Sequence, residues 1–195
     1  MTRLEEFRSA VIASASNPAF KHYDWYIDYH MLIVEQIAQE LLLKYPDADT
    51  ELVLVLVWLH DYGKILSFED DKSATLREGR TKLTELGYPN DFINTAIEYA
   101  EMIDRKLEFD LATAPIEVKI VSSADGCSHL TGPFMAIYMR DHSNKSLDEL
   151  LIDNKNKAIK DWTRKIVLPE ARSAFESRYL ITIEQSGKLP EQYLG

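Results

Sequence analysis

"LVLVLVWLHDYGK", residues 52–64, runs eight apolar residues straight into the ionisable pair His60-Asp61. A run of Leu, Val and Trp that long belongs in a core. Its residue types are those of strands, and periodicity alone does not separate a buried strand from a buried helix. The ends of the run favour a helix over 48–62: Asp49 or Thr50 can cap it, Glu51 falls in its first turn, and Gly63 follows its end.

Outward from that stretch the chain reads as all-α. Gly and Pro number only seven each, and they fall between periodic segments. Segment 20–45 carries Tyr26, His30, Val34, Ile37 and Leu41 on one helical stripe and is ended by Pro46. "EDDKSATLREGRTKLTELGYP" (69–89) is a solvated loop leading into an amphipathic helix closed by Gly87 and Pro89. A further helix follows in 89–106, with Phe92, Ile93, Ala96, Ile97 and Ala100 on its apolar side. Pro115 opens "PIEVKIVSSADGCSHL" (115–130), where a proline loses no helical hydrogen bond. A last helical region covers about 147–183, interrupted near Leu168-Pro169. There is no Gly-rich phosphate loop and no G-x-S-x-G elbow.

At 195 residues the chain is expected to be one domain, with a core at about 20–145 and a C-terminal helical extension at about 147–183. The extension either packs on the core or makes a homodimer contact. Apolar residues are 46% and charged ones 28%, an ordinary globular balance. A formal charge of −10 opposes partners that need a broad basic surface, so neither a nucleic-acid polymer nor a membrane surface is expected. The longest apolar run is far too short to span a bilayer. Cys127 is the single cysteine, and the charged N-terminal stretch does not resemble a signal peptide; both point to a cytoplasmic setting.

Polar residues on apolar faces carry the functional signal. His30 shares its face with Val34, Ile37 and Leu41. Asp125 lies four residues after Val121 and seven after Val118, where an unpaired carboxylate would cost several kcal/mol on the scale of charge burial. His60 and Asp61 end the buried helix. One divalent cation held by His30, His60, Asp61 and Asp125 satisfies all three segments together. Two carboxylates neutralise it, and two imidazoles suit Mn²⁺, Fe²⁺ or Zn²⁺ better than Ca²⁺; Mg²⁺ also stays open. The spacing is that of neither a zinc finger nor H-E-x-x-H.

His30, "LHDYGK" at 59–64 and Asp125 in "KIVSSADGCSHL" together resemble the H…HD…D pattern of the HD-domain superfamily of metal-dependent phosphohydrolases. The resemblance covers about residues 20–145. It implies a five-helix core with the metal between helices, His30, His60, Asp61 and Asp125 as ligands, and Lys64 facing a substrate phosphate. Two-metal relatives draw extra histidines from the helices after the HD pair. None occurs in 90–110, so one metal is expected, and the di-iron oxygenase branch is disfavoured.

The function this implies is hydrolysis of a small phosphate ester or anhydride, a phosphomonoester or nucleotide. The alternative is a nucleotide-sensing module with slow or absent turnover. Asp28 is a candidate general base beside the ligands. Lys64, Lys72, Arg77 and Arg80 are candidates for phosphate oxygens, although "LREGRTKLTE" also alternates charge as a solvated face does. His129, one turn beyond Asp125, is within reach of the site. His22 and His142 read as surface residues, Cys127 as core filler. Trp25, Tyr26, Tyr62 and Phe68 are suited to core packing or to stacking on a base.

Overall fold

The computed structural model describes residues 1–66, 71–105, 108–188 and 192, the side chains of Asp71 and Lys72 excepted. The opening stretch is helical from Thr50 to Leu59. Asp49 is the cap: its carboxylate accepts the Leu52 backbone N–H at 3.0 Å, which satisfies one of the donors a helix leaves open at its start. Leu52, Val53 and every residue from Val55 to Leu59 are buried, so this helix is apolar all round, as a central element must be.

Among the described residues there is no strand. In chain order the helices are α1 (Arg3–Ala15), α2 (Leu32–Leu42), α3 (Thr50–Leu59), α4 (Tyr62–Leu66), α5 (Asp71–Glu85), α6 (Asn90–Asp104), α7 (Ile116–Ser128), α8 (Phe134–Asp141), α9 (Leu147–Lys160) and α10 (Pro169–Glu184). Two wider π-turns interrupt the series, Ile27–Met31 ahead of α2 and Asp161–Lys165 after α9. None of these helices is long and apolar enough to cross a membrane.

Helices α2, α3, α6 and α7 pack on one another, and α5 lies on α4 and α6. The all-α expectation and the closure of α5 by Gly87, in the left-handed region at φ 74°, hold. Two expectations need correction. Residues 20–25 are turns and no part of a helix: Phe20, His22 and Trp25 are all buried within six residues, which one helical stripe cannot achieve. And α1 was not anticipated. A capping box between Thr2 and Glu5 starts it, and Phe7, Val11 and Ala15, four apart, bury its inner face against the core.

The C-terminal region packs on the core through its second π-turn and α10, both of which lie against α7. Gly126 makes the approach possible. A Cβ there would meet Ile166 Cγ1 at 2.7 Å and Lys165 Cβ at 3.0 Å.

Candidate metal centre

His30 sits in the first π-turn and is 2% exposed. The Ser128 hydroxyl gives its hydrogen to the Asp125 carbonyl at 2.7 Å, so toward His30 it accepts, from Nδ1–H at 3.0 Å. Nε2 is therefore the bare nitrogen, 3.6 Å from Asp61 Oδ2 and 4.0 Å from Asp125 Oδ1.

His60, at the end of α3, is fixed the same way. Its Nδ1–H donates to the Val57 carbonyl at 2.7 Å, and its buried Nε2 has no hydrogen-bond partner among the described residues. A buried polar atom without a partner is costly unless something binds it. The ligand atoms of His30, His60 and Asp125 all lie within 4.8 Å of one another, close to the span of two metal–ligand bonds of about 2.1 Å each. Bare imidazole nitrogens facing carboxylate oxygens are a donor set that fits a divalent cation.

Asp61 faces both histidines, 3.6 Å from each Nε2. The same Oδ2 accepts from the Tyr26 hydroxyl and from Lys64 Nζ, each at 2.5 Å. Burial opposes its ionisation, but Lys64, His60 and His30 hold its carboxyl well below the usual range. Asp125 shares that behaviour: burial opposes it, and Lys165 and His129 prevail. Burial also keeps the His30 imidazole below the ordinary histidine range, as a metal-ligating nitrogen requires.

A cavity of about 310 Å³ opens over this cluster. Trp25, Tyr26, Phe134 and Tyr138 supply its aromatic walls, and Lys64, Lys157, Lys160 and Lys165 its cations.

The family described as HD domain matches residues 27–130. That is more than half of the chain and contains every residue of the cluster. The chain belongs to the HD-domain family. No curated protein and no solved structure matches it.

Within this HD domain the sequence-based candidates separate. His30, His60, Asp61, Asp125 and Lys64 are brought together around the cavity. Asp28 is exposed and does not line it, because two residues from His30 is about half a helical turn and turns the side chain to solvent. Arg77 and Arg80 do not line it either: Arg77 bonds Glu78 and Ser73, and Arg80 bonds Asn94 on α6. The side chain of Lys72 and all of Phe68 lie outside the described residues. Trp25 and Tyr26 line the cavity, whereas Tyr62 packs edge-on against Phe7 in the core. Cys127 is buried core, as expected.

His22 is buried, contrary to its expected surface position, and His142 is half-buried. Both line the cavity, and His22 donates through Nδ1 to Asp141 Oδ2 at 2.7 Å, an acid that also accepts from Trp25 Nε1 at 2.9 Å. These partners lie more than a hundred residues apart, beyond any local pattern. His129 does reach the site: Nδ1 donates to Asp161 Oδ2 at 2.8 Å, and Nε2 faces Asp125 Oδ1 at 3.3 Å.

Asp161 and Lys165 were missed altogether. They come from the second π-turn, outside the matched region, and Lys165 Nζ reaches Asp125 Oδ2 at 2.5 Å. A signal existed in "KDWTRK" (160–165), whose Asp161 and Lys165 stand one turn apart, but nothing local distinguishes that from a solvated ion pair.

Proposed function

We propose that this protein is a metal-dependent phosphohydrolase acting on a small phosphate ester or anhydride, with a nucleotide as the leading candidate. The observation that carries the reading is the buried Nε2 of His60, without a hydrogen-bond partner among the described residues and aimed into a cluster of bare imidazole nitrogen and carboxylate oxygens. His30, His60, Asp61 and Asp125 would hold one divalent ion, of the Mn, Fe, Zn or Mg class. Such an ion supplies Lewis acidity and a water acidified toward neutral pH.

The protein's own groups do the rest. Tyr26 and Lys64 orient Asp61, and Ser128 orients His30. The Lys64 ammonium, 29% exposed at the cavity, donates to a phosphoryl oxygen. Trp25, Phe134 and Tyr138 offer flat apolar surface to a base. Asp104, at the end of α6 on the cavity wall, is the carboxylate we assign to proton acceptance in place of Asp28.

Elemental analysis of protein purified without chelator, beside a phosphate-release assay over nucleotides and sugar phosphates with Mn²⁺, tests this. One metal per chain and Mn²⁺-dependent release are expected, with turnover lost in Asp61→Ala. Equal turnover in that variant would sink the catalytic assignment. Bound metal with no turnover on any compound would favour the sensor instead.

A further inference from the structure

Asp161 is fully buried, and burying a carboxylate is costly enough to need a reason. It comes from the second π-turn, outside the matched region, and π-turns are uncommon and concentrate at functional sites. Its Oδ2 accepts from His129 Nδ1–H at 2.8 Å. A carboxylate has no hydrogen to give in return, so the pair leaves His129 Nε2 as the bare nitrogen. Asp161 does not need an imidazolium to answer its charge, since Lys165 Nζ and Lys157 Nζ stand 3.5 and 3.6 Å from its oxygens.

His129 repeats the arrangement of the two histidine ligand candidates. It is buried, its Nδ1 is spent on a fixed acceptor, and its ring stacks on that of His30, 5.2 Å away and 9° from parallel. It follows Asp125 by one turn at the end of α7, which sets both side chains on one face. Its Nε2 lies 3.3 Å from Asp125 Oδ1, the oxygen that also faces His30 Nε2 at 4.0 Å. Lys165 holds the other oxygen, Oδ2, at 2.5 Å. Lone pairs on a bare nitrogen and a carboxylate oxygen at 3.3 Å repel unless a cation lies against both. Adjacent donors on one ion, each about 2.1 Å from it, stand about 3.0–3.4 Å apart, and the observed separation falls in that interval.

We infer that His129 Nε2 is a fifth protein donor to the metal ion, and that Asp161, from outside the family's matched region, is the positioning residue that aims it. The H…HD…D pattern contains neither residue. A carboxylate on the far nitrogen is the usual support of a metal-bound imidazole, where it fixes both tautomer and ring orientation. The inference rests on the metal-dependent reading above and narrows it, because a third imidazole shifts the donor set toward Fe²⁺ or Zn²⁺ and away from Mg²⁺. It also gives the second π-turn a task at the site: the turn supplies Asp161 to His129 and Lys165 to Asp125, and so supports two donors on α7 at once.

X-ray absorption spectroscopy of the Zn²⁺-loaded full chain counts coordinated imidazoles, and calorimetry gives the Zn²⁺ affinity. Three imidazoles are expected in the wild-type protein. His129→Ala should leave two and weaken Zn²⁺ binding by more than the about 10–100-fold that loss of an orienting group costs, and Asp161→Asn should weaken it within that range, because an amide can turn its N–H toward Nδ1 and release the tautomer. The chain has five histidines. Replacing the two that belong to neither group, His22→Ala with His142→Ala, should leave the count at three, which identifies His129 even where His129→Ala does not fold. Two imidazoles in the wild-type protein, the count that a protonated His129 bridging Asp125 and Asp161 would give, overturns the inference. So does a wild-type protein that binds no Zn²⁺, a count that falls in the His22/His142 variant, or an unchanged affinity in a folded His129→Ala protein. Three imidazoles with no phosphate release from any compound would uphold it while removing the phosphohydrolase reading. Phosphate release with two imidazoles would do the reverse.

Discussion

The hydroxyl of Ser128 decides which nitrogen of His30 is bare. Because that hydroxyl is spent on the Asp125 carbonyl, it can only accept from His30, and so it fixes the tautomer that leaves Nε2 facing the cluster. Groups that orient metal ligands are worth about 10–100-fold in metal affinity when removed. Ser128→Ala is therefore expected to weaken Mn²⁺ binding by a factor in that range, with the fold intact by circular dichroism. An affinity within twofold of wild type would mean that another group sets the tautomer. His60 needs no such helper, since its partner is the Val57 carbonyl of its own helix. That difference explains what was readable: His60 advertises itself at the end of an apolar run, while Ser128 looks like any helical serine until α7 is laid against the first π-turn.

At the scale of elements, the close approach of the second π-turn to α7 depends on one missing methyl group. Gly126→Ala would set its Cβ against Ile166 and Lys165 at 2.7 and 3.0 Å, with no room on the other side of a buried helix. Overpacking of this kind costs about 1–3 kcal/mol, so a loss of that size in urea denaturation is expected. Unchanged stability would show that the turn yields freely and that its register on α7 is not fixed by Gly126. The N-terminal elements are tied by a different device. Glu35 of α2 accepts from Arg8 of α1 and, at 2.8 Å, from Trp58 Nε1 of α3, and the Arg8 guanidinium lies over the Trp58 ring. One carboxylate thus joins three helices behind the site.

For the whole molecule, the buried titratable groups set how stability depends on pH once metal is removed. Burial lowers His22, His30 and His129 from their ordinary value of 6.5, His129 to about 3. Below pH 6.5 the unfolded chain therefore binds protons that the folded chain refuses, and stability falls as pH falls. A second loss follows below 3.8. Burial works against the Asp61, Asp125 and Asp161 carboxylates, but their cationic neighbours hold them low, so their contribution is complete above that value and disappears as they are protonated. In EDTA the Tm should drop steadily from pH 7 to pH 4. A flat Tm across that interval would contradict the burial of these imidazoles in neutral form.

Local chemistry settled much of this protein from the sequence alone. A ten-residue apolar helix needs only its cap and its composition, and His30, His60, Asp61 and Asp125 betray themselves as polar groups on faces that must be buried. The helix α1, which was not anticipated, also left a local trace, in its T-x-x-E box and its Phe7, Val11 and Ala15 spacing. What the tertiary structure alone decided is which distant charges meet. Asp125 pairs with Lys165 across forty residues, and His22 with Asp141 across more than a hundred. Arg77 and Arg80 look no less suited to phosphate in sequence than Lys64 does, yet they face solvent while Lys64 lines the cavity. The reason is that electrostatic pairing acts through space over a few ångströms, whereas helix formation and capping act through the chain over a few residues. Only the latter leave a periodic trace in the sequence.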